Sequence, residues 1–540
     1  MKKISLLSAL WFGITILGAA LLTSAALSFP TAEISGVVLL PDGQAAVNAR
    51  VRIQTTDNLA YTAQDGSFSL GGLQNGAPLT VTAWLENYKI GYIKSVLPPA
   101  SNLTLTLGSI DPVDHPGYQW WTSFPDPLAP TMGCGHCMYP SYTEWQHSAH
   151  SQSATDPRFF SIYNGTNLSA TQTISPGFKL DNPSAAGICA DCHAPGAAAD
   201  APYTTDMNTL TGVSQQGVFC EFCHKIGGVY LDPLTGLPPA DKPGVLSLRL
   251  FRPTGTDNVF FGTLDDVTRR VSVMPLEQES EFCAPCHQYS FQGVPVFESY
   301  HEWLDSPYAA AGVECQDCHQ PADNGNTFVL PEKGGLLRNP ATLPSHKDLS
   351  LKDTHFMTGT VAVTSTLSAG SSALNVQVQI KNIGAGHHVP TDYPGRQMLL
   401  TVQVSDQDGH PLPLLGGTLV PAWGGAQAGL PGKAFAKVLK DTATGASPVV
   451  SYWRPTTQID QDTRIPAMST DVSNYFFTPP QPGAIVTATV QLVFRRMVQA
   501  EMTSRNWLDP DIPMAQQVKS YAYPETQSVF LPFVQRGAGN

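Results

Sequence analysis

The sequence predicts a multidomain chain in which a coil-rich core with only short helices lies between two β-sandwiches. Three observations predict it. All ten cysteines fall between residues 109 and 357, each in a C-x-x-C pair. On either side, at 33–108 and 358–540, apolar residues alternate with polar or small ones, the period-2 pattern of strands with one buried face. Gly and Pro make up about 17% of the 540 residues, against about 12% in an ordinary chain, so turns are frequent and long helices are not expected.

Composition narrows the class further. The length suits about three domains. A net charge of −13 repels phosphate backbones and argues against a nucleic-acid partner. With 42% hydrophobic residues the chain can bury a core, so disorder does not fit.

The N-terminus reads as an address. Lys2 and Lys3 precede an apolar run from Ile4 to about Leu27, ending in the small residues Ser24, Ala25, Ala26 and Ser28. Residues 1–28 are expected to be a secretory signal, with an uncleaved membrane anchor as the alternative. Either places the bulk of the chain outside the cytoplasm, periplasmic or at the cell surface.

Residues 33–108 read as strands and turns. Ile34, Val37 and Leu39 begin the pattern, Pro41-Asp42-Gly43 turns it, and Val47, Val51 and Ile53 continue it. Gln64-Asp65-Gly66-Ser67-Phe68 enters another strand, and Thr80 to Trp84 a further one. The runs Ile34-Ser35-Gly36-Val37-Val38, Pro41-Asp42-Gly43 and Asp65-Gly66-Ser67-Phe68 resemble the carboxypeptidase regulatory-like domain. The resemblance covers about 75 residues and implies a transthyretin-like β-sandwich without catalytic function, a spacer or contact module.

Residues 109–357 carry the chemistry. Short helices are expected near Ser141 to His150 and Ser299 to Leu304. A long segment this poor in regular structure is reasonable only if cofactors supply its core. Four motifs are complete C-x-x-C-H: Cys189 and Cys192 with His193, Cys220 and Cys223 with His224, Cys283 and Cys286 with His287, and Cys315 and Cys318 with His319. This is the attachment pattern of c-type haem. Two thiols three positions apart each bond one porphyrin vinyl group, and the next imidazole ligates the iron from beneath. A zinc site does not demand a histidine after every second cysteine. Thioredoxin-like chemistry needs one such motif, not four. The cofactor expected is haem c, four copies, with a fifth position in question.

Spacing suggests an internal repeat. Cys189 lies 31 residues before Cys220, and Cys283 lies 32 before Cys315, so two haem pairs look duplicated. Tyr142-Thr143-Glu144-Trp145 followed by Ser148 echoes Tyr300-His301-Glu302-Trp303 followed by Ser306. The fifth position is Cys134-Gly135-His136-Cys137, which Met138 follows instead of histidine. Either Cys134 and Cys137 hold a modified haem site, with Met138 as a ligand or the iron open, or they form a local disulfide or a relic.

The segment from 112 to about 405 resembles the multihaem cytochromes c related to hydroxylamine oxidoreductase. The residues that carry this are Cys134 to Cys137 through Glu144-Trp145, Ser148-Ala149-His150, Gly312 through His319, and Gly384-Ala385-Gly386-His387-His388-Val389-Pro390-Thr391. The resemblance implies an electron carrier with bis-histidine haems, and in some members one open catalytic haem. It points to His150 as a distal ligand. His387, on a Gly-flanked loop, is a second candidate beside its neighbour His388. His346 and His355 follow His319 by 27 and 36 residues and are near enough to arch over a haem. Arg396 is either a partner of a haem propionate or a solvated cation.

Residues 358–540 return to strands. Leu374, Val376, Val378 and Ile380 alternate with Asn375, Gln377 and Gln379; Leu399 to Val404 leads into the turn Asp408-Gly409; Val486 to Phe494 is another strand. A second β-sandwich is expected, with a loop-rich excursion over about 411–480.

The function expected is electron transfer by an exported multihaem c-type cytochrome. Its partners would be quinol-linked cytochromes on one side and terminal reductases on the other. Two alternatives stand beside it: an oxidoreductase acting on nitrogen or sulfur oxyanions or hydroxylamine at one open haem, and a self-associating subunit of an extracellular cytochrome filament.

Overall fold

In the computed structural model the described residues are 31–125, 133–255, 258–322 and 325–525; the expected signal or anchor at 1–28 lies outside them. Among the described residues no helix is long and apolar enough to cross a membrane. The chain divides into two compact units, Met1–Ile110 with Leu264–Ser272, and Asp111–Thr263 with Val273–Asn540.

In the first unit two sheets share one apolar core, and Tyr88–Lys89 pairs separately with Gly108–Ser109. In one sheet, strand Thr31–Leu39 lies between antiparallel Ser67–Gln74 and parallel Ala100–Thr106. The other runs Leu59–Tyr61, Arg50–Ile53, Leu79–Trp84, Gly91–Val96. Ile34, Val38, Phe68 and Leu105 from the first meet Val51, Val81 and Ala83 from the second. The pattern forces this, since alternate residues of each strand face one side. Gly36 sits beside a register shift, and a Cβ there would lie 2.1 Å from the Leu103 carbonyl oxygen. The turns expected at Gly43 and Gly66 have φ of +84° and +76°, where glycine is unstrained.

Leu264–Ser272 lies inside the stretch that the sequence assigns to the cysteine-rich region, yet it belongs to this first unit. Charge explains why. Asp265 accepts from Arg50 Nη1 (3.0 Å) and Arg52 Nη2 (3.2 Å), two cations that one strand projects together. Asp266 accepts from Thr55 N, and Ile90 N donates to the Val271 carbonyl.

The second unit joins the cysteine-rich segment and the C-terminal strands, so residue 358 begins no separate compact body. Two four-stranded sheets sandwich a core. One runs Val361–Ala369, Leu374–Asn382, Thr470–Phe477, Leu414–Gly416; the other Gly432–Phe435, Gln397–Ser405, Ile485–Arg495, Ile512–Ala522. Leu374, Val376, Val378 and Ile380 are wholly buried, as their alternation requires. The stretch 411–480 is not a loop-rich excursion: it supplies Leu414–Gly416, Gly432–Phe435 and Thr470–Phe477 to the two sheets, and a separate hairpin, Lys437–Asp441 with Thr457–Asp462.

Polar clasps fasten these strands to the cysteine-rich segment. Arg505, fully buried, donates from Nη1 to the Ser161 carbonyl (2.7 Å) and from Nε to Glu501 (3.0 Å). Arg454 grips Asp181 with two bonds of 2.7 and 2.8 Å, and Trp453 Nε1 donates to the same carboxylate. The cysteine-rich segment itself contains helices of four to eight residues, as expected, including Tyr139–Trp145, Ala149–Gln152 and Ser299–Leu304.

Candidate haem centres

Each complete motif forms a single helical turn: Cys189–His193, Cys220–Cys223, Ala284–His287 and Cys315–His319. In a helical turn residues three and four apart share a face, so both thiols and the following imidazole point the same way. Among the described residues no two cysteines are joined by a disulfide. The residues between the cysteines anchor the turns. Asp191, fully buried, accepts from Tyr203 N (3.1 Å), and burial raises its carboxyl to about 7. Glu221, also fully buried, accepts from Tyr118 OH (2.6 Å).

Each following histidine has Nδ1 turned to an oxygen, three of them in hydrogen bonds. His193 Nδ1 donates to the Ser153 carbonyl (3.1 Å), His224 Nδ1 to that of Phe261 (2.7 Å) and His319 Nδ1 to that of Leu349 (2.7 Å). His287 Nδ1 stands 3.6 Å from Asp392 Oδ2. A ring so held presents Nε2 as its free ligand atom.

Three of these rings face a second imidazole. Ring centres lie 6.3 Å apart for His224 and His346, 6.3 Å for His319 and His387, and 6.4 Å for His287 and His150. A metal–imidazole bond is about 2.0 Å and a ring nitrogen lies about 1.15 Å from the ring centre, so two imidazoles on opposite sides of one metal have centres about 6.3 Å apart. The spacing therefore fits one iron within each pair. His193 differs: Phe159 stacks on its ring at 4.3 Å, and among the described residues no imidazole stands opposite. His355 is exposed on helix Thr354–Gly359 and faces no other imidazole among the described residues. His388 turns away, its Nδ1 lying 3.7 Å from Glu302 Oε1.

The rings differ electrostatically. Burial opposes the charged form at His150, His193, His224, His287, His319 and His346. The Asp392 carboxylate overcomes this at His287 and raises it to about 9; Asp348, 2.8 Å from Nδ1, raises His150. Glu277, 3.5 Å from His224 Nδ1, helps raise that ring to about 9. His319 and His346 fall to about 4, by burial and then by the neighbouring histidine. Asp348 is held at about 2: burial pushes it up, but His150 and the Gln320 amide pull it further down.

Thiol contacts join different turns from those that the spacing pairs. The thiol of Cys134 interacts with that of Cys220, and Cys283 with Cys315, so each pair of turns abuts through its first cysteine. The turn at Cys189 meets the third motif instead, Cys192 against Cys286. The tryptophan echo agrees. Trp145 Nε1 donates to the Val218 carbonyl and Trp303 Nε1 to that of Val313, both at 2.8 Å and both two residues before a haem-motif cysteine. In the fold, Cys134–Cys137 thus abuts Cys220–Cys223 as Cys283–Cys286 abuts Cys315–Cys318, and the Cys189 motif lies between the first two in the chain. His136 receives a hydrogen bond from Lys333 Nζ (3.0 Å), and Met138 caps helix Tyr139–Trp145.

Four acids escaped the sequence reading. Glu144 Oε2 accepts from His346 N (2.7 Å) and Glu302 Oε2 from His388 N (3.1 Å), beside His387. Their presence in both copies of the Tyr-x-Glu-Trp echo was the available signal. Asp348 and Asp392 carried none.

Residues 133–225 match the model of the family described as cytochrome c554 and c-prime. Among solved structures, a penta-haem cytochrome c552 from Thermochromatium tepidum is similar over 72% of this chain and 97% of its own, with a TM-score of 0.51 and 19% identity. Over residues 133–225 the chain is cytochrome c554-like, and its fold is that of a multihaem c-type cytochrome. The penta-haem likeness, at that identity, speaks to the fold of the cytochrome alone. Two cohesin–X-dockerin complexes from Acetivibrio cellulolyticus overlap 15% and 14% of the cytochrome with TM-scores of 0.14 and 0.12, too low to inform its fold. No curated protein matches it.

Proposed function

We propose that the protein is an exported electron carrier, with haem c attached at Cys189 and Cys192, Cys220 and Cys223, Cys283 and Cys286, and Cys315 and Cys318. Bound haem supplies one-electron iron chemistry, and the chain orders the centres and sets their ligands. The observation that carries the reading is the set of three imidazole pairs at 6.3–6.4 Å. On it, His346, His150 and His387 are the distal ligands opposite His224, His287 and His319, and His355 drops out of the ligand set. Iron held between two imidazoles has no open position, which suits a carrier handing electrons between redox proteins. The matching contact further supports Cys134 and Cys137 as a fifth attachment site, since their turn stands to Cys220 as that of Cys283 stands to Cys315. The N-terminal sheets act as a carboxypeptidase regulatory-like contact module, and Arg396 as a propionate partner.

Electron paramagnetic resonance of the oxidised holoprotein tests the ligation. Three low-spin bis-histidine signals are expected, and His346→Ala, His150→Ala and His387→Ala should each convert one to high spin. Variants that leave every low-spin signal in place would reject the reading.

One observation favours a second reading, catalysis at a single haem: His193 alone among the four lacks an imidazole across from it among the described residues. Nitrite or hydroxylamine binding to a high-spin haem in the unaltered protein would support it; an all-low-spin spectrum would remove it.

A further inference from the structure

The three imidazole pairs are not held alike. His319 Nδ1 and His387 Nδ1 both donate to peptide carbonyls, of Leu349 (2.7 Å) and His388 (2.9 Å). His224 Nδ1 donates to a carbonyl and lies 3.5 Å from Glu277 Oε1, so this pair has an anion behind one ring only; among the described residues His346 Nδ1 has no hydrogen-bond partner. The third pair has an anion behind each ring. His150 Nδ1 donates to Asp348 Oδ2 at 2.8 Å, and His287 Nδ1 lies 3.6 Å from Asp392 Oδ2.

Both carboxylates are fixed. Asp348 Oδ1 accepts from Gln320 Nε2 (2.7 Å); Asp392 Oδ1 accepts from Glu298 N (3.3 Å) and Ser299 N (3.2 Å), at the start of helix Ser299–Leu304. Both residues also have left-handed backbones, with φ of +47° and +56°. Such conformations are uncommon outside glycine and mark positions that the surroundings hold in place. Two separate loops thus carry an acid in the same unusual conformation to opposite ends of one imidazole pair.

Asp348, which accepts the Nδ1 proton, gives the His150 ring imidazolate character and makes its Nε2 a stronger donor to a metal, while Asp392 acts on His287 through its charge. Two largely buried negative charges, one behind each ring, also favour the more positive state of a metal between them. For haem iron that state is ferric, and second-shell hydrogen bonding is one of the protein's levers on potential. We propose that Asp348 and Asp392 are positioning residues that make the iron between His150 and His287 the most reducing of the three paired centres. The inference rests on the ligation proposed above. The iron between His319 and His387, with carbonyl partners only, is correspondingly the first of the three to be reduced. The low-potential centre is also a junction, because its attachment turn meets both the Cys189 and the Cys315 turns through thiol contacts.

The test is a redox titration of the purified holoprotein followed by electron paramagnetic resonance. The pairs are distinguishable, because ring planes cross at 68° for His150 and His287, 44° for His224 and His346, and 19° for His319 and His387, and low-spin signals depend on that angle. The near-perpendicular centre should titrate last on reduction. Asp348→Asn and Asp392→Asn should each move its midpoint to a more positive potential, and the double variant further, with the low-spin signal kept. Asparagine tolerates the same left-handed backbone, so the folds should be retained. A low-spin signal that persists with an unmoved midpoint would overturn the proposal and leave the ligation standing. No near-perpendicular low-spin signal in the unaltered protein would overturn the ligation itself, and the proposal with it.

Discussion

Replacing Glu144 by alanine removes one acceptor and leaves the His346 backbone N–H, now 2.7 Å from Glu144 Oε2, without it. A hydrogen bond to a charged acceptor contributes about 1.5–3 kcal/mol. The bond holds the loop that presents His346 to His224, so its loss should favour the ligand-off state by about 10- to 150-fold at 1.4 kcal/mol per tenfold. On the ligation proposed above, cyanide must displace His346 to bind that iron, so its apparent affinity there should rise by the same factor. A cyanide titration of the oxidised holoprotein, followed by loss of low-spin signal, measures it. Glu144→Gln keeps an oxygen acceptor without the charge and should give a smaller effect. The iron of His319 is an internal control, because its distal loop is fastened by Glu302 instead. Equal cyanide affinity at every haem in wild type and Glu144→Ala would refute the reasoning.

Other expectations follow from the same packing. Arg252 is 1% exposed and bonds Asp114 (2.8 Å) and Asp200 (2.6 Å); Arg252→Ala should cost roughly 3 kcal/mol, read by denaturant unfolding. Deleting residues 33–108 should leave the haem absorption unchanged but open Leu264–Ser272 to protease, because the partners of Asp265 and Asp266 go with them. Asp181 is held below the ordinary carboxylate range, chiefly by its hydrogen bond from Arg454. Its stabilisation is therefore present above about pH 4 and lost as pH falls through the lowered value. Asp181→Asn should flatten that acid limb in thermal melts.

Local pattern made part of this molecule legible. The strands at Leu374 to Ile380 and Val486 to Phe494 announce themselves by alternation, and four C-x-x-C-H motifs declare their chemistry in five residues each. The strands within 411–480 were hidden for an opposite reason. Gly432–Phe435 and Lys437–Asp441 are buried on both faces, and Thr457–Asp462 is exposed almost throughout, so neither kind alternates. Which imidazoles face one another was legible only as a set of candidates. His346 faces His224 because Glu144 fixes its backbone, and nothing within a few residues of His346 encodes that. His355, equally plausible by distance along the chain, projects from a helix elsewhere. The acids behind His150 and His287 are contributed by loops far along the chain from them, so they appear only once the chain is folded.

The most direct test of the central claim is mass measurement of tryptic peptides from the mature holoprotein. Covalent haem on each peptide containing Cys189 and Cys192, Cys220 and Cys223, Cys283 and Cys286, or Cys315 and Cys318 is the predicted result, with a fifth on the peptide of Cys134 and Cys137. A bare peptide at any of the four complete motifs would contradict it.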